Sequence, residues 1–314
     1  MFQIKDGDLI ADTRVTVAVT SYNRGKYLDA LLRSLKNECI TGCHQVIVVD
    51  NCSTESRVYD AIDNQRDWID DVTYRTEQDW INDEYIAKNL IISKAAHEII
   101  LFLQDDLQFI GPPGSISRYA SALAISPFLC MTVNGVRLST LQNTLVRDPF
   151  ASNNVKLWQH RDRHFHTMGF FKAQTFRDVG PYPTHWPQQK EFWGRSEDSY
   201  DSLVKQRYPQ SPISATAHVP LFLPVWNDPR GGYAFIRDNK RYGHYIDARD
   251  DSGLYYAKLT QAEFDAYSAF EDPVPYIDVA KPLGWTVTRG PDGDQFKYPQ
   301  RDILVEGPVA EIDA

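Results

Sequence analysis

Residues 98–106 read EIILFLQDD, an apolar run that ends abruptly in two adjacent carboxylates. A short, continuous apolar run of this kind is typical of a strand that is buried on both faces. Two similar runs precede it, at residues 16–20 (TVAVT) and 45–50 (QVIVVD), and leucines with helical spacing follow the first run at residues 26–36. Buried strands that alternate with helices predict an α/β fold, with a mostly parallel sheet and helices on both faces.

Composition narrows the class of protein further. The chain has 314 residues, 42% hydrophobic and 24% charged, which is ordinary for a globular protein. Its net charge of −9 argues against binding nucleic acid or an anionic membrane through overall charge. We find neither a signal-peptide pattern nor an apolar run near the ~20 residues that span a bilayer. The sequence therefore predicts a cytoplasmic protein, with any membrane association being peripheral.

Polar residues follow each of the three strands directly. The first turn is residues 21–24 (SYNR), the second turn is residues 50–54 (DNCST), and the third turn is Asp105 and Asp106. In open parallel sheets, ligands bind beyond the carboxyl ends of the strands. Each turn alone also fits helix capping, and we expect the serine and threonine of the second turn to cap the next helix. Three polar turns at one edge predict a shared binding site.

The third turn allows two interpretations. Adjacent carboxylates repel one another unless a cation or a hydrogen-bond network neutralises them. Carboxylate oxygens suit Mg²⁺ or Mn²⁺, which leave coordination positions open for phosphate oxygens. The alternative is that Asp105 or Asp106 caps the turn before Pro112 and Pro113.

A second pair of carboxylates, Glu197 and Asp198, follows Trp193 and Gly194 and is expected at the start of a helix. The helix dipole favours the ionised form of a carboxylate in that position. An ionised carboxylate that faces a cleft can accept a proton from a hydroxyl as a general base. The alternative is an ordinary pair of acids at a helix N-terminus.

Taken together, these strings resemble the inverting family 2 glycosyltransferases of GT-A fold. The resemblance covers roughly residues 14–225. It is carried by the order and spacing of four strings: residues 20–24 (TSYNR), 48–54 (VVDNCST), 101–106 (LFLQDD) and 193–198 (WGRSED). It implies a GT-A catalytic domain at residues 1–225. Residues 226–314 would form a C-terminal extension or subdomain, on the acceptor side or at an oligomer contact.

The resemblance also implies a role for each matched residue. Asp50 would accept a hydrogen bond from the nucleotide base, and Asp106 would bind Mn²⁺ or Mg²⁺, with His218 as a further metal ligand. Asp198 would be the general base, with Glu197 orienting the acceptor or the sugar. The residues expected to bind the nucleotide-sugar are Thr20, Tyr22, Arg24, Asp50, Lys88, Asp105, Trp193 and Gly194.

The implied activity is metal-dependent, inverting transfer of a sugar from a nucleotide-diphosphate sugar, with UDP as the expected nucleotide. The expected acceptor is a hydroxyl of a glycan, glycolipid or other glycoconjugate, as in polysaccharide biosynthesis. A modified nucleic acid acceptor stays open, and the sequence gives no oligomeric state.

One departure from the family pattern keeps alternatives open. Gln104 stands where the motif usually begins with Asp. A catalytically weak sugar-nucleotide-binding module of the same fold is therefore an alternative. A nucleotidyltransferase is less favoured, because the residues after the first strand include one glycine rather than a glycine-rich loop.

Overall fold

The computed structural model describes residues 13–79, 83–133, 145, 149–152, 155–166, 168–184, 195–225, 235–237, 240–246, 252–283 and 300–304. At residues 195–197, 235–237, 240–246, 277 and 300–304 it describes the backbone. No helix within these ranges is long and apolar enough to cross a membrane.

Strands and helices alternate through the first part of the chain. The strands are β1 (Val15–Ser21), β2 (Gln45–Asp50), β3 (Asp71–Tyr74), β4 (Ile99–Gln104), β5 (Leu107–Phe109), β6 (Cys130–Thr132), β7 (Phe150–Ser152), β8 (Val155–Gln159), β9 (Gly169–Lys172), β10 (Ser214–Ala217), β11 (Phe222–Pro224), β12 (Phe235–Arg237), β13 (Lys240–Ile246) and β14 (Gln300–Leu304). The helices are α1 (Gly25–Thr41), α2 (Ser56–Asp63), α3 (Asp83–Lys94), α4 (Ser115–Ile125), α5 (Ala173–Val179), α6 (Arg195–Arg207), α7 (Gln261–Ser268) and the short α8 (Tyr276–Val279).

The main sheet of the described residues has the strand order β3-β2-β1-β4-β9-β6-β10-β8-β7. Strands β3, β2, β1 and β4 are parallel to one another, and β10 is parallel to β6. Only β9 and β8 run against their neighbours in this sheet. The sheet is therefore mostly parallel, as predicted. Strands β11 and β5 form a separate antiparallel pair, and β12, β13 and β14 form a third sheet.

Helices cover both faces of the main sheet, because alternate side chains of the buried strands point to opposite sides. In β4, Ile99, Leu101 and Leu103 belong to the hydrophobic cluster that includes α1, α2 and α4. Ile100 and Phe102 belong to the cluster that includes α3, α5 and α6. The predicted α/β fold, with helices on both faces of a mostly parallel sheet, is confirmed.

The position of β9 depends on a glycine. Gly169 has a φ of +120°, and a Cβ there would lie 2.1 Å from the carbonyl oxygen of Met131 in β6. A larger residue would force the two strands apart. The sequence predicts a strand that leads into a short helix at residues 166–180, and β9 followed by α5 confirms it.

Helix α1 extends beyond the helix predicted at residues 26–36 and ends at Thr41. Its last turns form hydrogen bonds with the start of helix α4. The buried carboxylate of Glu38 accepts hydrogen bonds from the backbone N–H of Gly114 at 2.7 Å and of Ile116 at 2.9 Å. These contacts supply acceptors at the start of α4, where backbone N–H groups lack partners within the helix. The spacing of leucines along α1 cannot predict hydrogen bonds to residues that are 76 and 78 positions away in the sequence.

Residues 252–283, part of the predicted C-terminal extension, pack against β5 and α1. The side-chain oxygen of Gln108 accepts hydrogen bonds from the backbone N–H of Tyr255 at 2.7 Å and of Tyr256 at 3.2 Å. Both tyrosines are fully buried in the same cluster as α1. Lys258 donates from Nζ to the carbonyl oxygen of Ser34 at 2.6 Å. The boundary at residue 225 stays a prediction.

We predict that Tyr255→Ala lowers the free energy of unfolding by about 3–5 kcal/mol, because it leaves a cavity beside Tyr27. The two rings lie 5.9 Å apart, edge to face. The control is Phe270→Ala in the same segment, whose side chain is half exposed and should cost less than about 1 kcal/mol. Chemical denaturation measures both. Equal, small losses would contradict a core role for this segment.

Candidate functional site

The three polar turns lie side by side, as predicted, because the strands before them are in level register. In β1, Ser21 is paired with Asp50 of β2, and Thr20 is paired with Gln104 of β4. The backbone N–H of Asp105 donates to the carbonyl oxygen of Thr20 at 3.1 Å, which continues the pairing past the end of β4. All three turns therefore reach the same edge of the sheet.

Asp105 is held by the first turn. Its Oδ2 accepts hydrogen bonds from the hydroxyl of Ser21 and the backbone N–H of Tyr22, both at 3.0 Å. Only 3% of the residue is exposed. Burial raises the pKa of Asp105, and the charge of Arg24 opposes this shift.

Arg24 bridges the two carboxylates of the third turn. Its Nη1 lies 2.8 Å from Oδ2 of Asp106 and 3.3 Å from Oδ1 of Asp105. Asp106 is 4% exposed, so both acids are almost buried and require a counter-charge. The guanidinium thus lies where a cation shared by the two carboxylates would bind.

The donor set of the third turn fits a hard divalent cation. Mg²⁺ is commonly bound through one or two carboxylates and keeps its other positions for water or substrate phosphates. Asp105 and Asp106 supply two carboxylates in one turn. Within the described part of the chain, no cluster of three or more His, Cys, Asp and Glu side chains could hold a metal. The metal ligand expected from the sequence, Asp106, belongs to this pair of acids.

Asp50 lies in the second turn and is 1% exposed. Its carboxylate accepts hydrogen bonds from the backbone N–H of Ser53 at 2.9 Å and from the Ser53 hydroxyl. Burial raises the pKa of Asp50, while both hydrogen bonds lower it. The carboxylate is fixed in orientation next to the first turn.

The predicted capping of α2 by Ser53 and Thr54 is wrong. The helix begins after Glu55, and no side chain of the second turn caps it. Oδ1 of Asn23 instead accepts hydrogen bonds from the backbone N–H of Thr54 at 2.7 Å and of Glu55 at 3.0 Å. The Ser53 hydroxyl is engaged with Asp50. Asn23 has a φ of +51°, a left-handed conformation that asparagine adopts more readily than most residues.

Lys88 lies at the same edge, in α3, and its side chain is 2% exposed. Its Nζ donates to Oε1 of Glu84 at 2.5 Å. The same oxygen accepts a hydrogen bond from Nε2 of Gln104 at 3.2 Å. The ammonium also lies 5.6 Å from the ring centroids of Tyr85 and Tyr182. Glu84 is not among the site residues predicted from the sequence, although its spacing of four residues from Lys88 places the two on one face of a helix.

Asp198 and Glu197 lie in the first turn of α6, which begins at Arg195, as predicted. Asp198 is exposed, and its backbone carbonyl accepts a hydrogen bond from the Ser202 hydroxyl at 2.8 Å. Trp193, Gly194 and the side chain of Glu197 lie outside the described residues.

His218 is engaged elsewhere in the fold. Its Nδ1 accepts a hydrogen bond from the indole N–H of Trp158 at 2.9 Å, and its Nε2 lies 3.2 Å from the carbonyl oxygen of Tyr267. Burial lowers the pKa of His218 to about 4, so the ring is neutral near pH 7. A neutral imidazole has one acceptor nitrogen, and Trp158 occupies it. The expected role of His218 as a metal ligand is not supported.

A family model described as Glycosyl transferase family 2 matches residues 16–181, just over half of the chain. No curated protein matches the chain. Similar solved structures include S. aureus TarS, which is 15% identical with a TM-score of 0.47 over 65% of this chain and 35% of TarS. The mannosyltransferase PcManGT from Pyrobaculum calidifontis, solved with GDP-Man and Mn²⁺, is 16% identical with a TM-score of 0.47 over 71% of this chain and 59% of PcManGT. The chain thus covers less than two thirds of either protein.

We predict that Arg24→Gln lowers the melting temperature in metal-free buffer, because Asp105 and Asp106 lose the cation between them. The free energy of unfolding should fall by about 1–3 kcal/mol. This is less than for a fully buried ion pair, since the Arg24 side chain is 23% exposed. Mn²⁺ should stabilise this variant more than the wild type, because the guanidinium no longer competes for the carboxylates.

The measurement is a thermal-shift titration with Mn²⁺, with Arg33→Gln as the control. Arg33 pairs with Asp29 on the surface of α1 and should change neither quantity appreciably. An equal Mn²⁺ response in wild type and Arg24→Gln would contradict a shared site for guanidinium and metal.

Proposed function

The chain belongs to glycosyl transferase family 2, and on that premise we propose that it is a metal-dependent, inverting glycosyltransferase. Its donor would be a UDP-sugar, and its acceptor a hydroxyl of a glycan, glycolipid or other glycoconjugate. The observation that carries the proposal is the almost buried pair Asp105 and Asp106, level with Asp50 at the carboxyl edge of the sheet.

The donor nucleotide would lie across the first and second turns. Asp50, oriented by Ser53, would accept a hydrogen bond from the N3–H of uracil. Thr20 and Tyr22 would line the same pocket, since they flank the end of β1. Trp193 and Gly194 are proposed to border the sugar. A base with a ring N–H is favoured because an ionised carboxylate only accepts hydrogen bonds.

Asp106 would hold a Mn²⁺ or Mg²⁺ ion together with the diphosphate, and Asp105 would face the ribose or the sugar. Such an ion offsets the negative charge that develops on a nucleoside diphosphate leaving group. When the donor binds, Arg24 would release the two carboxylates and donate hydrogen bonds to the diphosphate. The planar guanidinium is suited to this because it can donate two parallel hydrogen bonds to a phosphate. Lys88 would add a second cation on the α3 side of the cleft.

Asp198 would act as the general base. It is exposed in the first turn of α6 and so is accessible to an acceptor. It would accept the proton of the acceptor hydroxyl as the oxygen attacks the anomeric carbon. The bond from that carbon to the phosphate oxygen breaks, and its electron pair leaves with the nucleoside diphosphate. Attack from the opposite face inverts the configuration. Glu197 would orient the acceptor or the sugar.

Residues 226–314 are proposed to contribute to the acceptor side. The backbone N–H of Val225 donates to the carbonyl oxygen of Asp106 at 2.9 Å, and Tyr256 donates to the carbonyl oxygen of Pro224 at 2.7 Å. The chain that enters this region is therefore tied to the third turn. Its many aromatic residues suit stacking on sugar rings.

A second candidate is a sugar-nucleotide-binding module of the same fold with little turnover. Gln104 favours it, because the first carboxylate of the family motif is absent at that position.

We predict that UDP and a UDP-sugar raise the melting temperature of the wild type in the presence of Mn²⁺ but not with a chelator. Asp106→Asn should abolish this dependence on metal, because an amide is a weaker ligand for a hard cation than a carboxylate. The control is Asp67→Asn, since Asp67 is a mostly exposed partner of Lys36. UDP stabilisation that persists unchanged in Asp106→Asn would contradict the metal assignment.

We predict that Asp198→Asn lowers kcat for transfer by about 10²–10⁴-fold, the usual contribution of a general base. Binding of UDP with Mn²⁺ should be unaffected, since Asp198 would face the acceptor. Transfer is followed as UDP release in the presence of candidate acceptors. Turnover like that of the wild type in Asp198→Asn would remove Asp198 from the mechanism. Metal-dependent binding with no turnover of any donor would favour the binding module.

A further inference from the structure

Position 104 lacks a carboxylate, but a carboxylate lies beside it. Gln104 is the last residue of β4, directly before Asp105 and Asp106. Its Nε2 donates to Oε1 of Glu84 at 3.2 Å. Helix α3 follows β3, so its first turn lies at the carboxyl edge of the parallel strands, where the candidate donor site is. Glu84 thus brings a negative charge from the helix to the end of the strand.

The Glu84 carboxylate is fixed on one side only. Oε1 accepts hydrogen bonds from both Lys88 and Gln104. Among the described residues, Oε2 makes no hydrogen bond, and 34% of the Glu84 side chain is exposed. An oriented carboxylate with one oxygen held and the other accessible is an acceptor for the hydroxyl group of a ligand.

The same contacts explain why position 104 is neutral. An Asp or Glu at that position would bring a second carboxylate to Glu84, and like charges at hydrogen-bond distance cannot both ionise without a large penalty. The amide of Gln104 instead donates a hydrogen bond to Glu84.

We propose that Glu84 replaces the missing carboxylate of the motif and accepts a hydrogen bond from a hydroxyl of the nucleotide-sugar donor. Gln104 and Lys88 position it by holding Oε1. The inference rests on the proposed function, since it presumes that the cleft binds a nucleotide sugar. Hydroxyls suited to Glu84 occur both in the ribose and in the transferred sugar, and the choice of probe separates these two sources.

The test compares four proteins: wild type, Glu84→Gln, Gln104→Glu and the double variant that exchanges the two residues. The exchange keeps size and total charge and moves the carboxylate back to the strand. Dissociation constants are measured with Mn²⁺ for UDP, 2′-deoxy-UDP and a UDP-sugar. Glu98→Gln is the control, because Glu98 is a mostly exposed partner of Arg177 on the surface.

Glu84→Gln should bind the UDP-sugar about 10–100-fold more weakly, the factor expected for loss of a hydrogen bond to a charged group. Gln104→Glu should also weaken binding, because its new carboxylate repels that of Glu84. The double variant should recover most of this loss. If Glu84 contacts the ribose, Glu84→Gln should also weaken UDP. It should leave 2′-deoxy-UDP unchanged if the 2′-hydroxyl is bound, and weaken 2′-deoxy-UDP as well if the 3′-hydroxyl is bound. If it contacts the transferred sugar, UDP binding should be unchanged.

Melting temperatures and circular dichroism separate a structural role from a positioning one. A purely structural Glu84, needed only to neutralise the buried Lys88, would lower the melting temperature in Glu84→Gln and leave donor affinity intact. That result would overturn the inference, as would failure of the double variant to recover binding. A wild type that binds no nucleotide sugar would instead overturn the proposed function.

Discussion

Two adjacent, almost buried carboxylates need a positive charge within reach, and the site is built around that need. Asp105 and Asp106 obtain it from Arg24, whose guanidinium nitrogen contacts both. The arrangement is possible only because β1 and β4 are parallel neighbours with level ends. A shift of one residue in their register would turn the side chains to opposite faces and separate these groups.

Hydrogen bonds from other parts of the chain hold the turns in that arrangement. Asn23 ties the first turn to the second through two backbone N–H groups. Gln108, two residues after the third turn, is held by the backbone of Tyr255 and Tyr256. The carboxylates are thus connected to parts of the chain that lie far away in sequence. Functional groups supported in this way keep their geometry better than groups on an isolated loop.

The sequence predicted β1, β2, β4 and β9 of the sheet and the edge at which the three polar turns meet, because these follow from local patterns. Apolar runs end where the strands end, and polar residues follow at once. It did not predict the partners of individual side chains. Asn23 and Thr54 are 31 residues apart, and Glu84 and Gln104 are 20 apart. Which polar atoms meet across such separations depends on packing, which composition and periodicity do not encode.

The structure does not support the prediction for His218, for the same reason. A histidine downstream of a carboxylate motif has the chemistry of a metal ligand, and only its neighbours decide whether it is available. Trp158 and Tyr267 satisfy both ring nitrogens, and burial keeps the ring neutral. Indole and carbonyl partners 60 and 49 residues away leave no trace in the local sequence.

Acidic side chains outnumber basic ones at the site, as they do in the whole chain, whose net charge is −9. Arg24 and Lys88 contact three carboxylates, those of Asp105, Asp106 and Glu84. The carboxylate of Asp50 lies at the same edge of the sheet. A further carboxylate, in place of Gln104, would repel the diphosphate of a donor more strongly and would lie at hydrogen-bond distance from the carboxylate of Glu84. A neutral residue there keeps enough negative charge to attract a divalent cation while limiting the repulsion of its anionic partner. With Glu84 in the role proposed for it, the amide at position 104 is compatible with an active site.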